Sequence, residues 1–149
     1  MEVRLARYED VSDIRALLAD DELGAKREDL SEAGLAKYQA AFLKIDDDAN
    51  NELFVVERDG RLIATAQVTW IPYLSRGGNE RCHVEAVRVA SDLRGLGIGA
   101  MLMGHIVEKA QERGCMMVQL TTDVTRESAH RFYARMGFVA THHGMKLVL

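Results

Sequence analysis

The chain is poor in the residues that mark several common protein classes. Its 149 residues include two cysteines and one proline, and no apolar run approaches the roughly 20 residues that a membrane-spanning helix needs. Cys82 and Cys115 are too few for a disulfide framework or a zinc finger. The first ten residues lack the apolar core of a signal peptide. We therefore expect a reduced, cytoplasmic protein with no membrane partner.

Further absences limit the ligands. A P-loop requires Gly-Lys-Ser/Thr, and no lysine occurs between Lys44 and Lys109. There is no stripe of lysine and arginine, and the net charge is −4, so nucleic acid is not an expected partner. The five histidines show no metal-ligand spacing with cysteines or carboxylates, so no metal is expected.

The charge is unevenly divided. Residues 1–52 contain 14 acidic and 7 basic side chains, whereas residues 53–149 contain 9 acidic and 12 basic ones. Two interpretations stay open: the halves bind ligands of opposite sign, or the helices of the first half present solvated acidic faces.

Periodicity in the first half predicts a strand, two helices and a hairpin. Charged and apolar residues alternate over 2–7, as in a half-buried strand. Apolar residues spaced by three and four predict one helix capped by Asp10 and a second that begins near Ser31. The dipeptide Asp59-Gly60 between two β-rich runs predicts a hairpin.

The second half continues this alternation of strands and helices. We expect a strand over 81–90, a helix over 97–113, a strand within "CMMVQLTT", a helix over 125–136 and one or two closing strands in "FVATHHGMKLVL". The predicted order is β-α-α-β-β-β-α-β-α-β. This order indicates an α/β (α+β) protein with a mixed sheet, in one domain over residues 1–149.

The stretch "SDLRGLGIGAMLM", residues 91–103, places three glycines between a predicted strand and a predicted helix. A helix N-terminus has unpaired N–H groups and partial positive charge, and glycines let an anion approach them. Arg94 adds a positive charge ahead of the turn. The pattern predicts a bound phosphate group, best a pyrophosphate; the alternative is a tight turn with a close helix–sheet contact. The third glycine of a G-x-G-x-x-G dinucleotide fingerprint is missing.

The turn resembles the acetyl-coenzyme A site of the GNAT superfamily of N-acetyltransferases, Arg/Gln-x-x-Gly-x-Gly/Ala. The matching residues are Arg94-Gly95-Leu96-Gly97-Ile98-Gly99. The preceding "VEAVRV" resembles the family strand beside the pantetheine arm, and "SAHRFYARMGF" resembles the family's second signature. The resemblance extends over essentially the whole chain in element order.

This resemblance implies an enzyme that moves an acetyl group from acetyl-coenzyme A to a primary amine of a small molecule by direct attack. It implies that the backbone of one strand and of the glycine turn binds the coenzyme: Val87, Val89, Arg94, Gly95, Leu96, Gly97, Ile98, Gly99 and Ala100. A homodimer is the common assembly in relatives, and the oligomeric state of this chain stays open.

The resemblance also implies a general acid, Tyr133, which would protonate the departing coenzyme A thiolate. A phenol is neutral at pH 7 and still donates a proton. Tyr133 lies off the apolar stripe of Ala129, Phe132 and Met136, which favours this role over simple packing beside Phe132.

Glu85 is the candidate base for the attacking amine. Strand alternation is expected to put it in phase with Val87 and Val89. The alternative is a surface carboxylate that pairs with Arg81 or Arg88. One departure from the family pattern is Arg126, which stands where many relatives have a coenzyme-contacting asparagine; its role stays open.

The acceptor is less well defined. Carboxylates at Asp20, Asp21 and Glu22 would suit a cationic amine, and Tyr38 or Tyr73 would pack against its carbon skeleton. Three alternatives stay open: a non-catalytic module that binds coenzyme A and regulates a partner, an enzyme that uses another acyl-coenzyme A, and an enzyme that acylates a hydroxyl group.

Overall fold

The computed structural model describes all residues, 1–149, and the chain divides into two compact units, Met1–Gln119 and Leu120–Leu149. The prediction of a single domain stays a prediction. The helices and strands are, in chain order, β1 (Glu2–Leu5), α1 (Val11–Ala19), α2 (Gly24–Arg27), α3 (Glu32–Asp46), β2 (Asn51–Arg58), β3 (Arg61–Pro72), α4 (Ser75–Gly78), β4 (Glu80–Val89), α5 (Ile98–Glu112), β5 (Val118–Leu120) and α6 (Glu127–Arg135). Short 3-10 turns precede α1 and α5, at Tyr8–Asp10 and Ser91–Leu93.

The five strands form one sheet in the order β1-β2-β3-β4-β5. The first four strands pair antiparallel with their neighbours, and β5 joins the edge of β4 after the crossover through α5. The predicted α/β class with a mixed sheet is thereby confirmed. The short helices α2 and α4 were not predicted.

Two local signals of the first half act as predicted. Asp59 and Gly60 have φ of 52° and 77°, as both central residues of a two-residue hairpin turn require, and Arg58 pairs with Arg61 across it. The Oγ of Ser31 accepts a hydrogen bond from the N–H of Gly34 at 3.0 Å and caps α3.

Helices cover both faces of the sheet. On one face the ring of Phe54 packs edge-on against His105 of α5, with centroids 5.5 Å apart. The next residue, Val55, belongs to a buried cluster with Ile14 of α1 and Phe42 of α3. Because successive strand residues point to opposite faces, α5 covers one face while α1 and α3 cover the other.

Asp10 does not cap α1 as predicted. Its carboxylate instead accepts from the N–H of Arg7 at 2.7 Å and from both terminal nitrogens of Arg4 at 2.6 and 3.0 Å. Arg4 also donates to Glu57 of β2. The carboxylate pairs with Arg4 instead of capping the helix, because the pairing satisfies a half-buried guanidinium. Asp10 therefore fixes β1 to the start of α1.

The expected closing strands are wrong, so the last strand of the predicted order is missing. Residues 138–149 have no regular structure, and Val139, Met145 and Leu147 are exposed. Hydropathy in this segment predicted a strand, but a strand also needs backbone partners for its N–H and C=O groups. No strand pairs with this segment.

The structure contains no helix suited to crossing a bilayer. The longest helices, α3 and α5, have 15 residues each, and none combines the required length and apolarity.

We predict that Asp10→Asn lowers the free energy of unfolding at pH 7 by about 2 kcal/mol, the scale of hydrogen bonds to charged groups. The hydrogen bonds from Arg4 hold the pKa of Asp10 below its ordinary value, although burial opposes them. The stabilisation is therefore present above pH 4 or so and is lost as pH falls through the lowered pKa. Urea titrations at pH 7 and pH 3 measure it, with exposed Asp13→Asn as the control. Equal losses in the two variants at pH 7 would contradict it.

Candidate active site

The glycine turn enters α5 with a left-handed backbone. Gly95 and Gly97 both have φ of 82°. A Cβ at either position would meet nothing within 4 Å, so conformation rather than crowding by the protein requires glycine there. Gly97 is the N-cap residue of α5, and no side chain caps this helix.

The start of α5 presents free donors on an anchored helix. The N–H of Met101 bonds to the carbonyl of Gly97 at 3.0 Å, which leaves the N–H groups of residues 98–100 without an acceptor inside the helix. Ile98 is 3% exposed and fixes the helix to the core, whereas Leu96 is 65% exposed. The turn thus combines a fixed helix end with an open, glycine-rich surface, which fits a pyrophosphate.

Arg94 does not point into this turn. Its Nε donates to the carbonyl of Val89 at 3.1 Å, and its Nη2 donates to the carbonyl of Asp20 at the end of α1. Both acceptors are neutral carbonyl oxygens, and Arg94 makes no ion pair. Its positive charge therefore lies beside the turn, and its side chain links the end of β4 to the end of α1.

A β-bulge changes which residues of β4 share a face. Ala86 has φ of 53°, and the register shifts so that Gln67 lies opposite Glu85 while Thr65 lies opposite Arg88. Opposite residues point to the same face, so Glu85 shares its face with Arg88. The expectation that Glu85 is in phase with Val87 and Val89 is wrong, because the bulge interrupts the alternation.

On the C-terminal side of the bulge, main-chain carbonyls of β4 accept hydrogen bonds from arginine side chains. The carbonyl of Val87 accepts from Nη1 of Arg88 at 2.9 Å, as that of Val89 accepts from Arg94. The carbonyl oxygens of Val87 and Val89 thus each accept one hydrogen bond within the chain. A carbonyl oxygen has two lone pairs, so each can accept a further hydrogen bond from a ligand.

The acidic residues expected to bind a cationic amine face the protein instead. Asp20 accepts from the N–H of Ser91 at 2.6 Å. Asp21 accepts from the N–H of Gly24 at 2.6 Å and lies 3.4 Å from Nε of Arg88. Glu22 is exposed. Two of the three carboxylates therefore attach the segment after α1 to β4 and the glycine turn, because unpaired backbone N–H groups and Arg88 lie within reach.

Both tyrosines considered for the acceptor contact arginines of the chain. Tyr38 donates to Glu28 at 2.7 Å, and its ring lies 5.8 Å from Arg15. The ring of Tyr73 lies 4.1 Å from Cζ of Arg81. Neither contact tests a role in acceptor binding.

Sequence reasoning missed a set of polar side chains that share one face of the sheet. We call them the polar strip; its members come from four adjacent strands and are Asn51, Gln67, Thr69, His83, Glu85 and Gln119. Asn51 Oδ1 accepts from Thr69 at 2.8 Å and from Gln67 at 3.3 Å. All except Glu85 are half-buried. Burying a polar side chain costs free energy unless it is hydrogen-bonded. Six polar side chains on one face are therefore unusual for a strip that serves packing alone, and they make it a candidate binding surface.

One sequence signal could have revealed the strip. Arg81, His83 and Glu85 alternate along one predicted strand, which places three polar side chains on one face. The prediction considered the histidines only as possible metal ligands. In the structure, no group of three or more His, Cys, Asp or Glu side chains is arranged to hold a metal.

Neither cysteine is poised as a nucleophile. Burial raises the pKa of the Cys82 thiol to about 12, and it raises the pKa of Cys115, which also lies beside Glu80. A thiol acts as a nucleophile through its thiolate, so neither side chain favours a covalent acetyl-enzyme near neutral pH.

Tyr133 belongs to the C-terminal unit. It lies on α6, half-buried, with its ring edge-on to Phe132 and Phe138 at centroid distances of 5.0 and 5.6 Å. Arg126 is the N-cap residue of α6, but its side chain makes no capping hydrogen bond. The convergence of Tyr133 with Glu85 stays a prediction.

The element order and the glycine turn agree with the family that the sequence resembles. The model of the acetyltransferase (GNAT) family matches residues 13–138. The chain belongs to this family.

Similar proteins include named N-acetyltransferases. The chain is 32% identical over 98 residues to glucosamine 6-phosphate N-acetyltransferase of Trypanosoma brucei brucei, covering 66% of this chain and 65% of that protein. It is 37% identical over 93 residues to streptothricin acetyltransferase of Streptomyces lavendulae, covering 62% and 47%. The matched region thus spans about two thirds or less of these relatives. A crystal structure of a transcriptional regulator from Bacillus halodurans C-125 shares 42% identity at a TM-score of 0.95 and 99% coverage of both chains.

We predict that Gly97→Ala weakens binding of coenzyme A at least about tenfold, since a bent or displaced turn loses hydrogen bonds to a charged group. The matched control is Gly114→Ala, beyond the other end of α5, which also has positive φ (77°) and open space at Cβ. Each variant should lose about 1 kcal/mol of stability through strain. Titration calorimetry measures affinity, and similar losses of affinity in both variants would contradict the assignment.

Proposed function

We propose that the protein catalyses transfer of an acetyl group from acetyl-coenzyme A to a primary amine of a small molecule. The observation that supports this most directly is the continuity of β4 with the turn: the strand bears Glu85 at a bulge and leads into an uncapped helix start in a member of the GNAT family. An anion-binding site and a carboxylate thus occupy one strand–turn–helix unit.

The coenzyme is a substrate here, and the proposed contacts to it come from the main chain. N–H groups of residues 94–100 would hold the pyrophosphate, because the start of α5 provides unpaired donors and partial positive charge. The main chain at Val87 and Val89 would contact the pantetheine amides. Arg88 and Arg94 each bond to one of these carbonyls, and the second lone pair of each oxygen would accept a hydrogen bond from the coenzyme.

In the proposed reaction, Glu85 removes a proton from the protonated amine, directly or through water, and frees the nitrogen lone pair. The nitrogen attacks the thioester carbonyl carbon and forms a tetrahedral intermediate. Its collapse breaks the carbon–sulfur bond, and Tyr133 protonates the departing thiolate. The products are the N-acetylated amine and free coenzyme A, after the nitrogen loses its second proton.

The proposed acceptor site is the polar strip around Glu85, since its hydrogen-bonding side chains share the carboxylate's face of the sheet. Relatives named for glucosamine 6-phosphate and streptothricin support a polar small-molecule amine. A preference for cationic amines would rest on Glu22 alone of the original three carboxylates. The homodimer and the cytoplasmic location stay predictions.

The activity is tested by release of free thiol from acetyl-coenzyme A across a panel of amines, beside a thermal shift with coenzyme A alone. We expect turnover with at least one polar primary amine. A thermal shift without turnover on a broad panel would favour the non-catalytic regulatory module. The name of the Bacillus halodurans neighbour, a transcriptional regulator, is a second reason to test this alternative. Turnover only with alcohols or with longer acyl-coenzyme A would favour the other two alternatives.

We predict that Tyr133→Phe lowers kcat by about a hundredfold, a typical contribution of a general acid, with unchanged affinity for acetyl-coenzyme A. The matched control is Phe138→Leu, which removes one of the two rings packed on Tyr133 and leaves the tyrosine hydroxyl in place. Steady-state kinetics and calorimetry measure the two effects. A fully active Tyr133→Phe enzyme would remove this residue from the mechanism.

A further inference from the structure

Four side chains of β4 and β5 form an ordered chain of polar contacts. Nη1 of Arg81 donates to Oε1 of Gln119 at 3.2 Å, and Nε2 of Gln119 lies 3.1 Å from Nδ1 of His83. Nε2 of His83 lies 3.6 Å from Oε1 of Glu85. The chain of contacts therefore ends at the proposed base.

The first member sets the direction of every contact that follows. A guanidinium has N–H donors and no acceptor, so the amide atom of Gln119 that faces Arg81 is the oxygen. The amide nitrogen then faces His83 and donates to Nδ1. A neutral imidazole has one donor and one acceptor nitrogen, so with Nδ1 accepting, the proton of His83 is on Nε2, the nitrogen nearest Glu85.

Arg81 is well placed to impose this order. Its guanidinium stacks on the ring of Tyr73 at 4.1 Å, and its backbone lies opposite Ile71 in the β3–β4 ladder. The arginine therefore has a fixed position on the sheet, and Gln119 on β5 cannot turn its amide without placing two donors face to face.

We infer that His83 is a positioning residue for Glu85, an inference that rests on the proposed function. Nε2 of His83 lies 3.6 Å from Oε1 of Glu85, which leaves Oε2 to accept the proton of the amine. The His83 side chain is 18% exposed and that of Glu85 is 57% exposed, so the imidazole lies on the more buried side of the carboxylate. We expect this contact to shorten to a hydrogen bond when substrate is bound, as catalytic hydrogen bonds often do.

A matched pair of variants separates positioning from packing. The terminal nitrogen of glutamine reaches the place of Nε2, whereas that of asparagine reaches only the place of Nδ1. We expect His83→Gln to retain kcat within about threefold and His83→Asn to lose about tenfold or more, the effect of a lost hydrogen bond to a charged group. The KM for acetyl-coenzyme A should be unchanged in both. Exposed His143→Asn is the control for histidine removal elsewhere.

Nuclear magnetic resonance tests the order of contacts without any turnover. In protein labelled with ¹⁵N-histidine, long-range ¹H–¹⁵N spectra distinguish a proton on Nε2 from one on Nδ1, and the signals of His83 are assigned by their loss in His83→Gln. We expect the Nε2–H form in the unmodified protein. In Gln119→Glu the new carboxylate only accepts, so Nδ1 should carry a proton.

The outcomes separate the two proposals. An Nδ1–H form in the unmodified protein, or an unprotonated Nδ1 in Gln119→Glu, would overturn the contact order whether or not an acceptor has been found. Equal kcat for His83→Gln and His83→Asn would overturn the positioning role. If the unmodified protein acetylates no amine, the proposed function fails, while the spectra still decide the tautomer of His83.

Discussion

The left-handed conformation of Ala86 determines which side chains of β4 reach which face of the sheet. A residue with a Cβ pays roughly 1–2 kcal/mol for this conformation, and such strain persists only where the surrounding structure enforces it. Here the β3–β4 ladder is intact on both sides of the bulge, at Ala64–Val89 and at Gln67–Glu85. Ala86 is therefore a strained residue inside a strand that would otherwise alternate regularly, at the point where the strand approaches the glycine turn.

The bulge also explains why arginines gather at the end of β4. By turning Arg88 onto the face of Glu85, it brings the guanidinium to Asp21 and to the carbonyl of Val87. Arg94 donates from the turn to the backbone carbonyls of Asp20 and Val89. The segment after α1, the end of β4 and the turn are therefore linked by the Arg88–Asp21 ion pair and by hydrogen bonds that the two guanidinium groups donate. A ligand that bonds to the main chain of β4 would act on this whole assembly.

Sequence reasoning succeeded where structure follows from local chemistry. The Asp59-Gly60 turn, the Ser31 cap and the glycines before α5 each depend on the conformational preferences or hydrogen bonding of a few adjacent residues. It failed where the partner is distant in sequence. Asp10 bonds to Arg4, Asp20 bonds to Ser91, and residues 138–149 have no ladder partner. None of these outcomes is set by the residue's neighbours, because each depends on which group the fold brings within reach.

The assignment of Glu85 as the base, which stays a prediction, rested on a reason that the structure corrects. Its assignment rested on alternation with Val87 and Val89, which the bulge interrupts, yet alternation toward the N-terminal side of the strand is intact. There it aligns Glu85 with His83 and Arg81, opposite the polar residues Gln67 and Thr69. The carboxylate thus lies at the boundary between two regions of β4: a regular ladder that orders polar side chains, and an irregular end whose main chain bonds to arginines. The proposed base would need both a fixed orientation and an open approach: the ordered side chains lie on one side of Glu85, and its own side chain is 57% exposed.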